Sequence, residues 1–279
     1  MPAPADPSPG VPDLIVVPAR FGSTRLPGKP LVEIAGRTLL ARVVDVGRRA
    51  AALAGHAELV VATDDDRIAA HARDLGCEAV MTAPAIASGS GRAYAAALTR
   101  AASPGIVVNL QGDAPFVSAA VVARLIDALR RSAFEVATPV VRLGWDALDA
   151  LRAHKAVVPF SGTSCARLAD GRAAWFSKAI IPAIRDEAAS RVRESLSPVY
   201  RHCGVYAYRL DALARFEALP PGAYERLEGL EQLRFLENGM DVLTVAVDAT
   251  RHDMSGIDTP ADVALAERLI ALAGDPYGA

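Results

Sequence analysis

Three cations lie close together near the start of the chain, Arg20, Arg25 and Lys29, interleaved with Gly22, Ser23, Thr24 and Gly28. That mixture suits a polyphosphate, because glycine lets backbone N–H groups approach an anion while arginines hold its oxygens in pairs. A solvated basic loop is the plain alternative. The spacing is not that of a Walker A loop: the interval from Gly22 to Gly28 is one residue too long, and Pro30 follows Lys29 where Ser or Thr is required. A second run, Gln111-Gly-Asp113-Ala-Pro115, follows an apolar stretch. An acid at the carboxyl end of a central strand can hold a metal beside bound phosphates; otherwise Asp113 caps the helix expected near Ser118. A further acid, Asp258 in Gly256-Ile-Asp-Thr-Pro260, precedes a terminal helix. Either Asp258 or Thr259 can cap that helix, with Pro260 at its first position.

The elements that must position these groups alternate. Leu14–Val17 reads as a buried strand that Pro18 stops, and Glu58–Thr63, Cys77–Thr82, Ile106–Leu110, Phe134–Val141 and Asp241–Val247 as further strands. Helical spacing runs from Leu39 to about Leu53, Ala93 to Ala102 and Ala119 to Arg131. It recurs from Tyr224 to Leu236, where Leu227, Leu230, Leu233 and Leu236 would make one buried stripe and Glu225, Glu228 and Glu231 solvated charges. Asp64, Asp65 and Asp66 suit a helix start, and Asp170-Gly171 a hairpin turn. Strands alternating with helices predict an α/β protein with a parallel sheet, whose ligands bind at the carboxyl edge.

Composition sets bounds on partners. The chain has 279 residues, 52% apolar and 22% charged, with a formal net charge of −2. This fits a globular domain and, without a basic block, argues against nucleic acid. Cys77, Cys165 and Cys203 are odd in number and hold no Cys-x-x-Cys pair, which fits a reducing cytoplasm and no structural zinc. No apolar run approaches a membrane span, so no membrane partner is expected. Met1–Pro12 is proline-rich and is expected to be a disordered tail, with 13–279 a single domain.

Pro18-Ala-Arg20, Ser23-Thr-Arg25 and Gly28-Lys-Pro-Leu31 together resemble the opening signature of the sugar-acid cytidylyltransferases, most closely the 3-deoxy-manno-octulosonate (CMP-Kdo synthetase) family. Ser88-Gly-Ser-Gly-Arg92, Gln111-Gly-Asp113, Tyr200–Arg209, Glu231-Gln-Leu-Arg234 and Asp258-Thr-Pro260 extend the likeness to about Leu272. The resemblance implies a three-layer α/β/α, Rossmann-like nucleotidyltransferase with a mostly parallel sheet and a smaller acceptor or dimerisation subregion at about 140–240. It implies CTP as substrate, Mg²⁺ as cofactor, an acidic small-molecule acceptor and a homodimer. The reaction would activate a 3-deoxy sugar acid as its CMP-ester with release of pyrophosphate.

The same resemblance assigns residues. Pro18, Ala19, Arg20, Ser23, Arg25, Lys29, Ser88, Gly89, Ser90, Arg92 and Gln111 would bind the nucleotide. Gln111, Lys178, His202, Tyr206, Glu231 and Gln232 would face the acceptor. Asp113 and Asp258 would hold the metal, and with Arg20 and Lys29 would form the catalytic set. There are departures: Ile86 stands where His is usual, Gly91 where Glu or Asp is usual, Ala114 for Glu and Lys178 for Arg. Residues 145–171 match least. These departures keep open a different acidic acceptor, another ulosonic acid or a phosphonate, and a non-catalytic nucleotide-binding paralogue.

Overall fold

The computed structural model describes residues 10–22, 25–250, 252, 254 and 256–277. Residues 1–9 of the expected tail, with Ser23 and Thr24, lie outside the described residues. The chain divides into two compact units. The first comprises Met1–Ala133, Val205–Glu217 and Thr250–Ala279, and the second Phe134–Gly204 and Ala218–Ala249.

The first unit opens with β1 (Asp13–Ala19), whose apolar residues other than Pro18 are buried. It runs two residues past the expected end, because Pro18 stops only one of its two ladders. Pairing with β6 ends at Val16, whereas pairing with β4 continues through Pro18 to Ala19. A missing N–H matters only to the neighbour that would have accepted it. A short 3₁₀ turn, Lys29–Leu31, precedes the small hairpin β2 (Glu33–Ile34) and β3 (Arg37–Thr38). Helix α1 (Leu39–Ala54) begins at Thr38, whose hydroxyl accepts from the Ala41 N–H at 3.1 Å, and ends at Gly55. Its Arg42 is fully buried, a placement that requires a partner. Arg42 donates to Asp275 at 2.8 and 3.0 Å and to the Ile34 carbonyl, fastening α1 to the C-terminal segment.

Next come β4 (Ala57–Thr63), α2 (Asp66–Asp74), β5 (Glu78–Met81), α3 (Gly89–Ala97), β6 (Ile106–Asn109) and α4 (Ala119–Arg130). Asp65 caps α2. Helix α3 starts four residues before the expected Ala93 and stops at Ala97, because Ser88 caps a turn whose glycines mask the helical signal.

The second unit begins with β7 (Val136–Gly144), α5 (Trp145–Val157), β8 (Ser164–Arg167), β9 (Ala173–Ser177), α6 (Glu187–Arg193) and β10 (Leu196–His202). The β8–β9 hairpin turns at Asp170-Gly171, where Gly171 has φ 93°. The chain then returns to the first unit as β11 (Tyr206–Arg209) and α7 (Leu210–Ala218). The run Tyr200–Arg209 is divided between two strands, β10 and β11. Back in the second unit lie α8 (Ala223–Glu228), α9 (Leu233–Glu237) and β12 (Val242–Val247). The single helix expected over Tyr224–Leu236 is broken at Gly229 (φ 62°), which leaves Leu227 75% exposed. Helix α10 (Pro260–Ala273) closes the first unit.

Within the first unit the strand order is β5-β4-β1-β6-β11, parallel except for β11. Within the second it is β12-β7-β10-β8-β9, antiparallel except for β12 on β7. Val141, Leu143, Trp145, Leu148 and Val199 form a separate apolar core there.

Candidate active site

The groups with chemistry in the first unit gather where β1 and β6 end. A cavity of about 290 Å³ is lined by Pro18, Ala19, Arg20, Arg25, Lys29, Ser88, Gly89, Arg92, Gln111, Asp113 and Asp258. Pro30, Ala87 and Gly112 complete it, three positions that carried no expectation. Of the expected nucleotide residues, Ser23 lies outside the described set. Ser90 is buried in the first turn of α3, its hydroxyl donating to Ser88 Oγ at 3.2 Å.

Two acids converge on one ammonium. Lys29 Nζ is 2.8 Å from Asp113 Oδ2 and 3.0 Å from Asp258 Oδ1, and Arg25 reaches Asp258 Oδ2 at 3.2 Å. Burial alone would lower the Lys29 pKa, but the Asp113 and Asp258 carboxylates outweigh it and raise it. Neither acid is spent on a helix cap. Thr259 caps α10 in a reciprocal box with Asp262, Pro260 takes the first position, and α4 is preceded by Ser118. Backbone contacts bring the two acidic segments together: the Ile257 N–H donates to the Asp113 carbonyl at 2.9 Å. Gly112 allows the floor of the cavity to lie against β1, since a Cβ there would fall 2.4 Å from the Pro18 carbonyl oxygen.

The donor set can be compared with the implied magnesium. Both carboxylates aim at a single positive point, and hard cations take oxygen ligands, often one or two carboxylates plus substrate phosphates. Among the described residues no group of three or more His, Cys, Asp or Glu side chains could hold a metal alone. A divalent ion at Asp113 and Asp258 therefore fits if the substrate supplies the remaining oxygens.

Arg92 lines the cavity while being almost fully buried, with donors committed to Thr82 Oγ1 at 2.6 Å and Asp64 Oδ2 at 2.5 Å. Asp64 thus aims Arg92, a function not expected from the sequence. Its position directly after β4 was the available signal, since carboxyl ends of parallel strands gather ligand-site groups. Burial pushes the Cys77 and Cys165 thiols up to about 11 and about 12, which leaves neither a useful nucleophile near neutral pH.

Of the expected acceptor residues, Gln111 lines this cavity, and Tyr206 starts β11 opposite Asn109 with its ring stacked on Tyr208 at 5.8 Å. The others belong to the second unit. Lys178 follows β9, and its backbone is held on both sides: its N–H donates to Glu228 at 2.5 Å and its carbonyl accepts from Lys155 Nζ at 2.6 Å. Glu228 also accepts from the Ser177 hydroxyl, so this acid is no free solvated charge. Burial lowers the Lys178 pKa, and its Nζ sits 3.2 Å from Thr163 Oγ1. His202 shares a 2.9 Å hydrogen bond with Thr138 Oγ1 and lies edge-on to Phe176. Desolvation of the ring, helped by the Lys178 and Arg201 charges, pushes its pKa down to about 3. It is therefore neutral at ordinary pH. Gln232 is buried and Glu231 half-buried, side by side before α9.

Residues 14–242 match the model of the cytidylyltransferase family. The 3-deoxy-manno-octulosonate cytidylyltransferase of Maricaulis maris is 40% identical over 265 residues, 94% of this chain and 98% of that protein. The enzyme of the same name from Anaeromyxobacter dehalogenans is 40% identical over 258 residues, 92% and 97% of the two chains. Among solved structures, CMP:2-keto-3-deoxy-manno-octonic acid synthetase complexed with CTP superposes with a TM-score of 0.78 at 33% identity, covering 94% of this chain and 99% of that one. A 4-diphosphocytidyl-2C-methyl-D-erythritol synthase from Anaerococcus prevotii, 13% identical with a TM-score of 0.57, shares the fold.

Proposed function

The chain belongs to the 3-deoxy-manno-octulosonate cytidylyltransferase family, and from that membership we propose that its cavity takes CTP and that CMP is transferred to a 3-deoxy sugar acid with release of pyrophosphate. The observation that carries the assignment of residues is the convergence of Asp113 and Asp258 on Lys29 inside a cavity also lined by Arg20 and Arg25.

In this reading Arg20, Arg25 and Lys29 hold the triphosphate, and the first turn of α3 with Arg92 lies along the nucleoside. An acceptor hydroxyl oxygen bonds to the α-phosphorus and loses its proton while the bond from that phosphorus to pyrophosphate breaks. The loop cations stabilise the charge that collects on the leaving group. A divalent cation such as Mg²⁺, held by Asp113 and Asp258, would supply Lewis acidity and counter-charge when bound. Positioning and electrostatics suffice for such a transfer, without a covalent enzyme intermediate. Lys178, His202, Glu231 and Gln232, with Gln111 and Tyr206, are the proposed acceptor contacts. Among the described residues no helix is long and apolar enough to cross a membrane.

The test is pyrophosphate release from CTP with a panel of 3-deoxy sugar acids, other ulosonic acids and phosphonates. Turnover with the 3-deoxy-manno acid above all others is expected, and turnover confined to a different acid would replace the acceptor. Within the same panel Lys178→Arg should reorder the acceptors more than it changes CTP affinity, since a point charge cannot reproduce a planar bidentate fork. An unchanged ranking would remove Lys178 from acceptor selection. For the nucleotide, Lys29→Ala should weaken CTP binding by about 1.5–3 kcal/mol, the scale of a charged hydrogen bond. Calorimetry giving wild-type affinity would take this lysine out of the phosphate site.

A further inference from the structure

Helix α3 carries Ser88 as its N-cap, so Gly91 occupies the third helical position. Ser88 Oγ accepts from the Gly91 N–H at 3.0 Å, which is one half of a capping box. The other half needs a carboxylate or amide at position 91, and Gly91 has none. The first turn of α3 contains no acid at all. Yet a carboxylate is there. A Cβ built on Gly91 would lie 2.9 Å from Glu217 Oε2, 2.9 Å from Ser88 Oγ and 3.0 Å from Ile86 Cγ2. Glu217 comes from the end of α7, far along the chain but in the same unit.

We propose that Glu217 supplies from α7 the negative charge that the first turn of α3 lacks at position 91, and so acts as a positioning residue for the nucleotide. Negative charge at a helix N-terminus is favourable because the unpaired N–H groups there carry partial positive charge. The turn it steadies is the one whose Ser88, Gly89 and Arg92 line the cavity. Gly91 and Glu217 then form an exchangeable pair. The glycine is required because the space beside it is taken, and the glutamate because the glycine brings no acid. The nucleotide part rests on the proposed CTP site; the exchange itself does not.

The experiment moves the acid back into α3. Glu217→Ala should raise the CTP Kd about threefold to thirtyfold, the equilibrium cost of losing a cap. Gly91→Glu alone should also bind worse, because two carboxylates and Ser88 would compete for one volume. The double variant Gly91→Glu/Glu217→Ala should recover most of the wild-type affinity and bind better than either single change. Glu217→Gln, which keeps the volume and removes the charge, should fall between wild type and Glu217→Ala, and guards against a misfolded alanine variant. Amide exchange across Gly89–Arg92 without nucleotide should follow the same order. An unchanged Kd and exchange rate in Glu217→Ala would overturn the proposal, as would a double variant no better than the worse single one. If the wild type itself fails to bind CTP, the nucleotide assignment falls, while the exchange rates still decide the pairing.

Discussion

Asp113→Asn and Asp258→Asn will each abolish most turnover, and the two together will cost little more than either alone. The expected loss is on the order of 10²–10³-fold per single change, the scale seen when one preorganised stabilising group is removed. Non-additivity follows from geometry. Both carboxylates touch the same ammonium, at 2.8 and 3.0 Å, so they lie within reach of one cation. Groups that act as a unit lose their joint effect with the first deletion. Pyrophosphate release measured against Mg²⁺ concentration in all four forms of the cycle gives the coupling. Each single variant should also need more Mg²⁺ for half-maximal rate. Losses that multiply, or turnover that persists without divalent ions, would show that the two acids work independently.

Gly112→Ala should be nearly as damaging, although it removes no functional group. The added Cβ would fall 2.4 Å from the Pro18 carbonyl oxygen, a backbone atom that cannot rotate aside. Either β1 or the Gln111–Asp113 backbone must shift. The stability cost should be about 1–3 kcal/mol, as for other overpacked sites. The kinetic cost should be larger, about 10²-fold in kcat, because a displacement near 1 Å spoils a preorganised site. Thermal melting and steady-state rates on the same preparation separate the two. A variant with wild-type kcat would mean that Asp113 is not held by this contact.

What could be read before folding and what could not divide along physical lines. The loop cations and Asp113 stand beside strong local signals, a β-branched run followed by glycines and charges, so their clustering at the strand ends was expected. Asp258 was ambiguous because Asp-Thr-Pro offers two caps; only the Thr259–Asp262 box frees Asp258. Asp64, Glu228 and Lys155 were missed for a different reason. Their partners, Arg92, the Lys178 N–H and the Lys178 carbonyl, are remote in sequence, and no periodicity encodes a long-range hydrogen bond. The break at Gly229 shows the converse, where a single glycine outweighed an otherwise continuous pattern.

The first unit draws on three separate stretches of chain, and Asp258 lies in the last of them. On a ribosome adding about 5–20 residues per second, Asp113 must wait on the order of ten seconds for its partner acid. During that interval Lys29 has only one of its two carboxylates, and Arg42 lacks Asp275. The nascent chain therefore lacks the complete pair of acids around Lys29 until Asp258 has been translated. Truncations within α10 should expose the unit to proteolysis as well as inactivate it.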